Sequence, residues 1–465
     1  MSITADLARF AADTRYAELP PAAVANAKRS ILDYVGCALV GSTRPGPRLL
    51  QQVVGGQGGV PAASVIGRGL RLPAPQAALL NGASGHVDDY DDAGGVGGHA
   101  AVTLTPAAFA IGEAHGRSGE QVLAAWVVGY EVGEWLSRRL AIDRPWHGTG
   151  VFGTVAAAVA AGRLLGLDAD RMAMAIGLAA SQSSGLVRNF GTMAKAFHAG
   201  HAASGGVLAA QLVEAGFTAC PDIVEGRQGF ADCFGGEKCS LDYGVEPLGA
   251  WYALAESPPA IKAWPACFGI HPVLTALRQL WARGPVPADE ITAIRVTIAV
   301  EPATGPVRLT DATNGLEGKF CREFTLAAAL VDGRVDFGTY TDEKVRDPRV
   351  RRLMACIQTR RDPDVALRSP RLRRRDPSAE LAITLRDGTV LVERSDENYT
   401  LDGAAVLDKY RDNALSLLPA ATVEALATDL QRLETLPDVA PLARALALPE
   451  DQVPGSGARQ LSEVR

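Results

Sequence analysis

The chain has 465 residues and a formal net charge of −6, and it is 47% hydrophobic but only 6% aromatic. That length suits two or three domains with a sizeable core, and the mild negative balance excludes a global pull toward nucleic acid or an anionic membrane. The apolar content is mostly Ala, Leu and Val alongside 49 Gly, which predicts closely packed helices with small residues at their crossings.

In chain order, residues 4–41 predict two helices, interrupted at Pro20-Pro21 and resumed with Ile31, Val35 and Leu39 on one face. A loop and a short apolar stretch at 63–66 follow, and from 73 to about 216 the pattern is helical almost throughout. Helices are expected at 73–81 and near 101–117, 119–140, 150–165, 168–185 and 196–215. Ser118 before Glu120 and Gln121, and Asp168 before Asp170, supply starting signals. Short turns between neighbours favour antiparallel packing.

After about residue 258 the texture changes. Ile294, Val296, Ile298 and Val300 alternate with Arg295, Thr297 and Ala299 as in a strand, and Asp387-Gly388 joins two apolar runs into a hairpin. Between them lie a helix near 322–331 and a basic section at 344–375, and beyond Thr400 the chain is helical again. The plan is mainly α: a large all-helical domain (1–261), an inserted α+β lid domain (262–400), a helical return (401–448) and a polar tail (449–465).

Seven cysteines without a CxxC exclude a zinc ribbon and predict free thiols in a reducing compartment. The N-terminus lacks the apolar core of a signal peptide, and the longest uncharged run, 93–112, contains Pro106 and several glycines. A cytoplasmic protein with no membrane span is expected. The arginines Arg351, Arg352, Arg360, Arg361, Arg371, Arg373, Arg374 and Arg375 are broken by Asp362, Asp364 and Asp376 and lack interleaved aromatics. They predict a solvated surface rather than a nucleic-acid site.

The densest chemistry lies at residues 81–99. Asp88, Asp89, Asp91 and Asp92 fall within five residues beyond a predicted helix C-terminus, where the dipole disfavours negative charge. Such a cluster is either a solvated acidic cap or a functional site, and with His86 it has oxygen ligands for a divalent cation. His99 follows a glycine loop whose backbone N–H groups are free to approach a carboxylate. His147 and the Lys195–His198 pair stand at helix starts suited to anions, and Lys262 and Cys267 at the domain junction. His198 and His201 have metal-ligand spacing without a matching third ligand. The glycine loops fit neither phosphate-loop nor dinucleotide patterns.

The segments 81–99, 146–154, 191–200 and 262–271, in that order and spacing, resemble the MmgE/PrpD family. The resemblance covers nearly the whole chain. It implies a homodimer acting on a small di- or tricarboxylate, with no metal and no organic cofactor. It implies that Asp89, His99, His147, Lys195 and Lys262 line the active site, with His198 and Cys267 beside the substrate. The expected reaction is α-proton abstraction with dehydration of a 2-methylcitrate-like hydroxy acid, and epimerisation of an imino-dicarboxylate is the alternative. Ala93, Cys267 and Phe324 stand where the family's cis-aconitate decarboxylase has Thr, His and Tyr, which weighs against that third reaction.

Overall fold

The computed structural model describes residues 2–143, 145–242, 248–298, 306–362, 378–395 and 398–448. Val300, Arg371, Arg373, Arg374, Arg375 and the polar tail lie outside them. The helical part contains α1 (Pro21–Ser42), α2 (Ala74–His86), α3 (Ala101–Ala114), α4 (Gly119–Leu140), α5 (Gly148–Leu165) and α6 (Ala194–Glu214). α4 starts where its capping box places it: Ser118 accepts the Gln121 N–H and Gln121 reciprocates. The predicted helix at 168–185 starts on the Asp168 cap and stops early, as Ala169–Ala180.

Small residues set the crossings. A Cβ on Gly200 of α6 would lie 2.2 Å from the Leu79 carbonyl oxygen, and one on Gly82 of α2 would lie 2.8 Å from the Gly200 Cα. Backbones in such contact leave no room for a methyl group. Gly206 of α6 meets Ala157 of α5 in the same way. The glycines at 82 and 85 therefore do not end α2 near residue 81, as expected, because they let it pass under α1 and α6 as far as His86. α5 is long and apolar enough to cross a membrane, but 89% of it is buried in this core.

The chain leaves the helical core along β1 (Ile261–Lys262). It then forms α7 (His271–Arg283), β2 (Ile291–Ile298), α8 (Arg322–Asp332), β3 (Ile357–Arg361), β4 (Ala379–Leu385) and β5 (Val390–Ser395). The sheet order is β3-β2-β4-β5, with β2 and β3 parallel and the other pairs antiparallel. Ile294, Val296, Leu381 and Ile383 bury one face under α7 and α8 in a second hydrophobic core. The chain returns through β6 (Thr400–Leu401), which pairs with β1, and α9 (Gly403–Leu415) packs back on α1. That last contact closes around a buried ion pair, Lys409 Nζ to Asp33 Oδ1 at 2.7 Å.

Candidate active site

The acidic stretch is not a solvated cap. Asp88, Asp89, Asp91 and Asp92 are all buried, and each carboxylate turns to a different partner. Asp88 meets Arg44 at 2.7 Å and the lid residue Lys319 at 3.4 Å. Asp89 accepts from Lys262 Nζ at 2.5 Å and Lys195 Nζ at 3.2 Å. Asp91 Oδ1 accepts from His86 Nδ1 at 2.9 Å, and its Oδ2 lies 2.9 Å from His99 Nδ1. Asp92 caps α3 by accepting the Ala101 N–H on both oxygens. The cluster thus begins one helix as it ends another.

Asp89 takes a left-handed backbone conformation, φ 50°, which Asp tolerates at a cost of roughly 1 kcal/mol or more. That turn carries the carboxylate toward two lysines from distant parts of the chain. Lys195 lies in the first turn of α6 and Lys262 on β1, and both are buried. Burial alone would raise the Asp89 carboxyl, but the Lys195 and Lys262 ammonium groups outweigh it and hold it well below the usual range. Burial alone would likewise lower Lys262, yet Asp89 and Asp91 keep it raised. Lys195 is left lowered, because burial exceeds the help from Asp89. Its Nζ also donates to His86 Nε2 at 2.6 Å and faces the Phe190 and Phe320 rings.

Four imidazoles complete the cluster. Asp91 holds the Nδ1–H tautomer of His86, whose pKa burial lowers to about 3. His99 Nδ1 donates to the Asp92 carbonyl oxygen at 2.6 Å, leaving Nε2 3.8 Å from Asp89 Oδ1. His147 precedes α5 and is held neutral by burial and by Lys195. Its Nδ1 lies 3.2 Å from His198 Nδ1, so one ring donates and the other accepts. Gly185, at φ 113°, passes beside them, where a Cβ would crowd the His147 Cβ and the His198 ring. His147 Nε2 and Asp89 Oδ2 are buried without hydrogen-bond partners. Cys267 is buried near Asp89 and Lys262, and burial pushes its thiol up, so it is protonated at neutral pH.

All seven expected residues therefore converge. His86 and Asp91 were not among them; their signal was the i, i+5 spacing of a histidine and a carboxylate across a helix end. The glycine loop is a correction. Gly94 and Gly98 N–H groups bond within the loop, the Val96 N–H donates to Glu134, and the His99 N–H donates to Thr149. The loop positions His99 and spends those donors on the protein itself. His198 pairs with His147, while His201 stacks on Phe197 at 5.5 Å. His86, Asp89, Asp91 and His99 place ligand atoms within 4.8 Å of one another, but two ammonium groups already compensate Asp89.

Buried cations, an ionised carboxylate and neutral imidazoles thus meet where the helical part faces the lid, a combination typical of acid/base sites. Comparison with known proteins agrees. Residues 5–241 match the MmgE/PrpD N-terminal domain and 264–433 the MmgE/PrpD C-terminal domain; the chain belongs to the MmgE/PrpD family. It is 28% identical to mouse cis-aconitate decarboxylase, over 97% of this chain and 94% of that protein. With the human cis-aconitate decarboxylase the identity is 28%, over 96% and 95%. With the 2-methylcitrate dehydratase of Cupriavidus necator it is 27%, over 91% and 93%. By name these relatives are two decarboxylases and a dehydratase.

Proposed function

We propose that this protein is a lyase that removes a proton α to a carboxylate of a small di- or tricarboxylate and eliminates water from a 2-methylcitrate-like hydroxy acid. The observation that carries this reading is the buried Asp89–Lys195–Lys262 cluster beside an unpartnered His147 Nε2. A substrate carboxylate between the two ammonium groups forms charge-assisted hydrogen bonds. The same groups stabilise the enolate-like charge that develops when the α C–H bond breaks. Neutral His147 takes that proton on Nε2 in the tautomer whose Nδ1–H donates to His198 Nδ1. The C–O bond then breaks as the C=C bond forms, and the hydroxide leaves as water with a proton from Lys195, whose lowered pKa suits a donor. Asp89 holds and tunes the two lysines. No step needs a metal, because ammonium groups already supply the positive charge at Asp89.

Decarboxylation is the second reading, supported by the near-complete coverage of the cis-aconitate decarboxylases. There a C–C bond breaks, CO₂ leaves and the carbanion is protonated by Cys267, which stands in that enzyme's His position. Against it, Ala93 and Phe324 offer no hydroxyl, and Phe324 is fully buried in the lid core. We also infer a cytoplasmic homodimer, with the exposed Leu186, Met193, Phe197 and Leu208 as its apolar contact.

The test is proton NMR in D₂O of chelator-treated protein with 2-methylcitrate, citrate, cis-aconitate and iminodisuccinate. An unsaturated product with loss of the α-proton signal supports dehydration, and release of CO₂ from cis-aconitate supports decarboxylation. Deuterium wash-in without loss of water identifies an epimerase. Full activity in His147→Gln, or activity that returns only with Mg²⁺, sinks the mechanism above.

A further inference from the structure

Five cationic side chains are buried among the described residues: Lys195, Lys262, Lys319, Arg322 and Lys409. Four face carboxylates: Lys195 and Lys262 face Asp89, Lys319 faces Asp88, and Lys409 faces Asp33. Arg322 is the exception. It is 3% exposed, forms no ion pair among the described residues, and its Nε has no hydrogen-bond partner. The adjacent Glu323 turns away to accept the Thr359 hydroxyl at 2.6 Å. A guanidinium this nearly desolvated, without a carboxylate partner, costs up to several kcal/mol, so a residue kept in this state calls for an anion that arrives from outside.

The surroundings say where that anion sits. Arg322 opens α8, and two residues shortly before it, Lys319 and Phe320, lie against the site. Lys319 Nζ donates to the Asp88 carbonyl oxygen at 2.9 Å, and its own carbonyl accepts the Cys267 N–H at 3.0 Å. The Phe320 ring faces the Lys195 ammonium at 5.5 Å. Arg322 follows this segment by two residues, and Glu323, Cys267 and Cys321 are the titratable groups near it.

We infer that Arg322 is a substrate-binding residue supplied by the lid, and that its guanidinium receives a carboxylate at the end of the substrate remote from Lys195 and Lys262. This rests on the polycarboxylate reading above and sharpens it: the preferred substrate is a tricarboxylate, with two groups for the lysine cluster and one for the fork of Arg322. A dicarboxylate held by the lysines leaves the guanidinium unpaired.

The test is calorimetric binding of two unreactive probes, tricarballylate and glutarate, to the full chain. Wild type is expected to prefer tricarballylate by about tenfold, which corresponds to about 1.4 kcal/mol. Arg322→Met is expected to lose that preference while keeping its glutarate affinity. It is also expected to melt no lower than wild type without ligand, since an unpaired buried charge has gone; a merely structural arginine would give a lower melting temperature and leave the preference intact. Retention of the preference in Arg322→Met overturns the inference. Arg322→Lys covers a Met variant that fails to fold: it keeps the charge without the fork, a severalfold loss is expected, and an unchanged preference also overturns the inference. Lys195→Met separates the two readings. If it loses both probes while Arg322→Met keeps its preference, only the role of Arg322 falls. If it binds tricarballylate like wild type, the site reading falls and this inference with it.

Discussion

Replacing Asp89 by Asn removes one charge from a cluster of three and leaves two buried ammonium groups facing each other. Asp89 Oδ1 lies 2.5 Å from Lys262 Nζ and 3.2 Å from Lys195 Nζ. At about 3 Å and an effective dielectric near 20, one such attraction amounts to about 5–6 kcal/mol before desolvation. Removing one partner of a buried ion pair destabilises by about 3–5 kcal/mol net, and Asp89→Asn keeps the backbone carbonyl that accepts from Lys262 at 2.8 Å. The variant should therefore fold with a deficit of about that size. One lysine relieves the repulsion by losing its proton, so its folded pKa drops below its unfolded value. The unfolded chain then binds more protons between those two values, and stability rises with pH. Urea unfolding of both proteins at pH 6, 7.5 and 9 should show a deficit that is largest at pH 6 and shrinks by pH 9. Turnover should fall about 100-fold or more with the loss of the organised cation pair. A deficit independent of pH, or wild-type turnover in the variant, refutes the reasoning.

Acid should destabilise the wild type well above the carboxylate range. Burial lowers His86 and His271 to about 3 and His198 to about 4, whereas an unfolded histidine titrates near 6.5. As pH falls below that unfolded value the unfolded chain gains protons first, and each such histidine costs about 1.4 kcal/mol per pH unit down to its folded pKa; a flat unfolding midpoint from pH 6.5 to 4.5 would contradict this. Gly200→Ala should destabilise by about 1–3 kcal/mol and lower turnover as well, since its Cβ would meet the Leu79 carbonyl at 2.2 Å and separate Lys195 from His86. A melting temperature and kcat within error of wild type would count against that crossing.

Much of the helical part was legible because its signals are local. The Ser118 capping box and the Asp168 cap mark helix starts without reference to anything distant. Glycine misled where its purpose is tertiary: Gly82 reads as a helix breaker, and only the presence of Gly200 opposite explains it. The strand Ile357–Arg361 was hidden for a related reason. It is a polar edge strand whose pattern, Ile-Gln-Thr-Arg-Arg, alternates weakly and whose parallel partner is distant in sequence. At the site, residue types and spacing pointed to the region, but not to how four adjacent aspartates divide their partners. Asp91 and His86 depend on a turn at Asp89 with positive φ, and Arg322 gives no signal until its burial without a counter-ion is visible.

The antiparallel pairing of Ile261 with Leu401 and Lys262 with Thr400 brings the outgoing and returning chains together at one narrow neck. The whole insertion therefore hangs from two adjacent strands, with Lys262 at its root. Asp89, His99, His147 and Lys195 belong to the trunk, while Cys267, Lys319 and Arg322 travel with the branch. Both ends of the insertion thus meet at one place, while Phe190 and the Asp88–Lys319 pair dock it on the helical part. Grafting a homologous insertion at the neck would exchange Cys267, Lys319 and Arg322 and leave Asp89, His99, His147 and Lys195 in place, a route by which one scaffold can vary half of a cleft without rebuilding the other half.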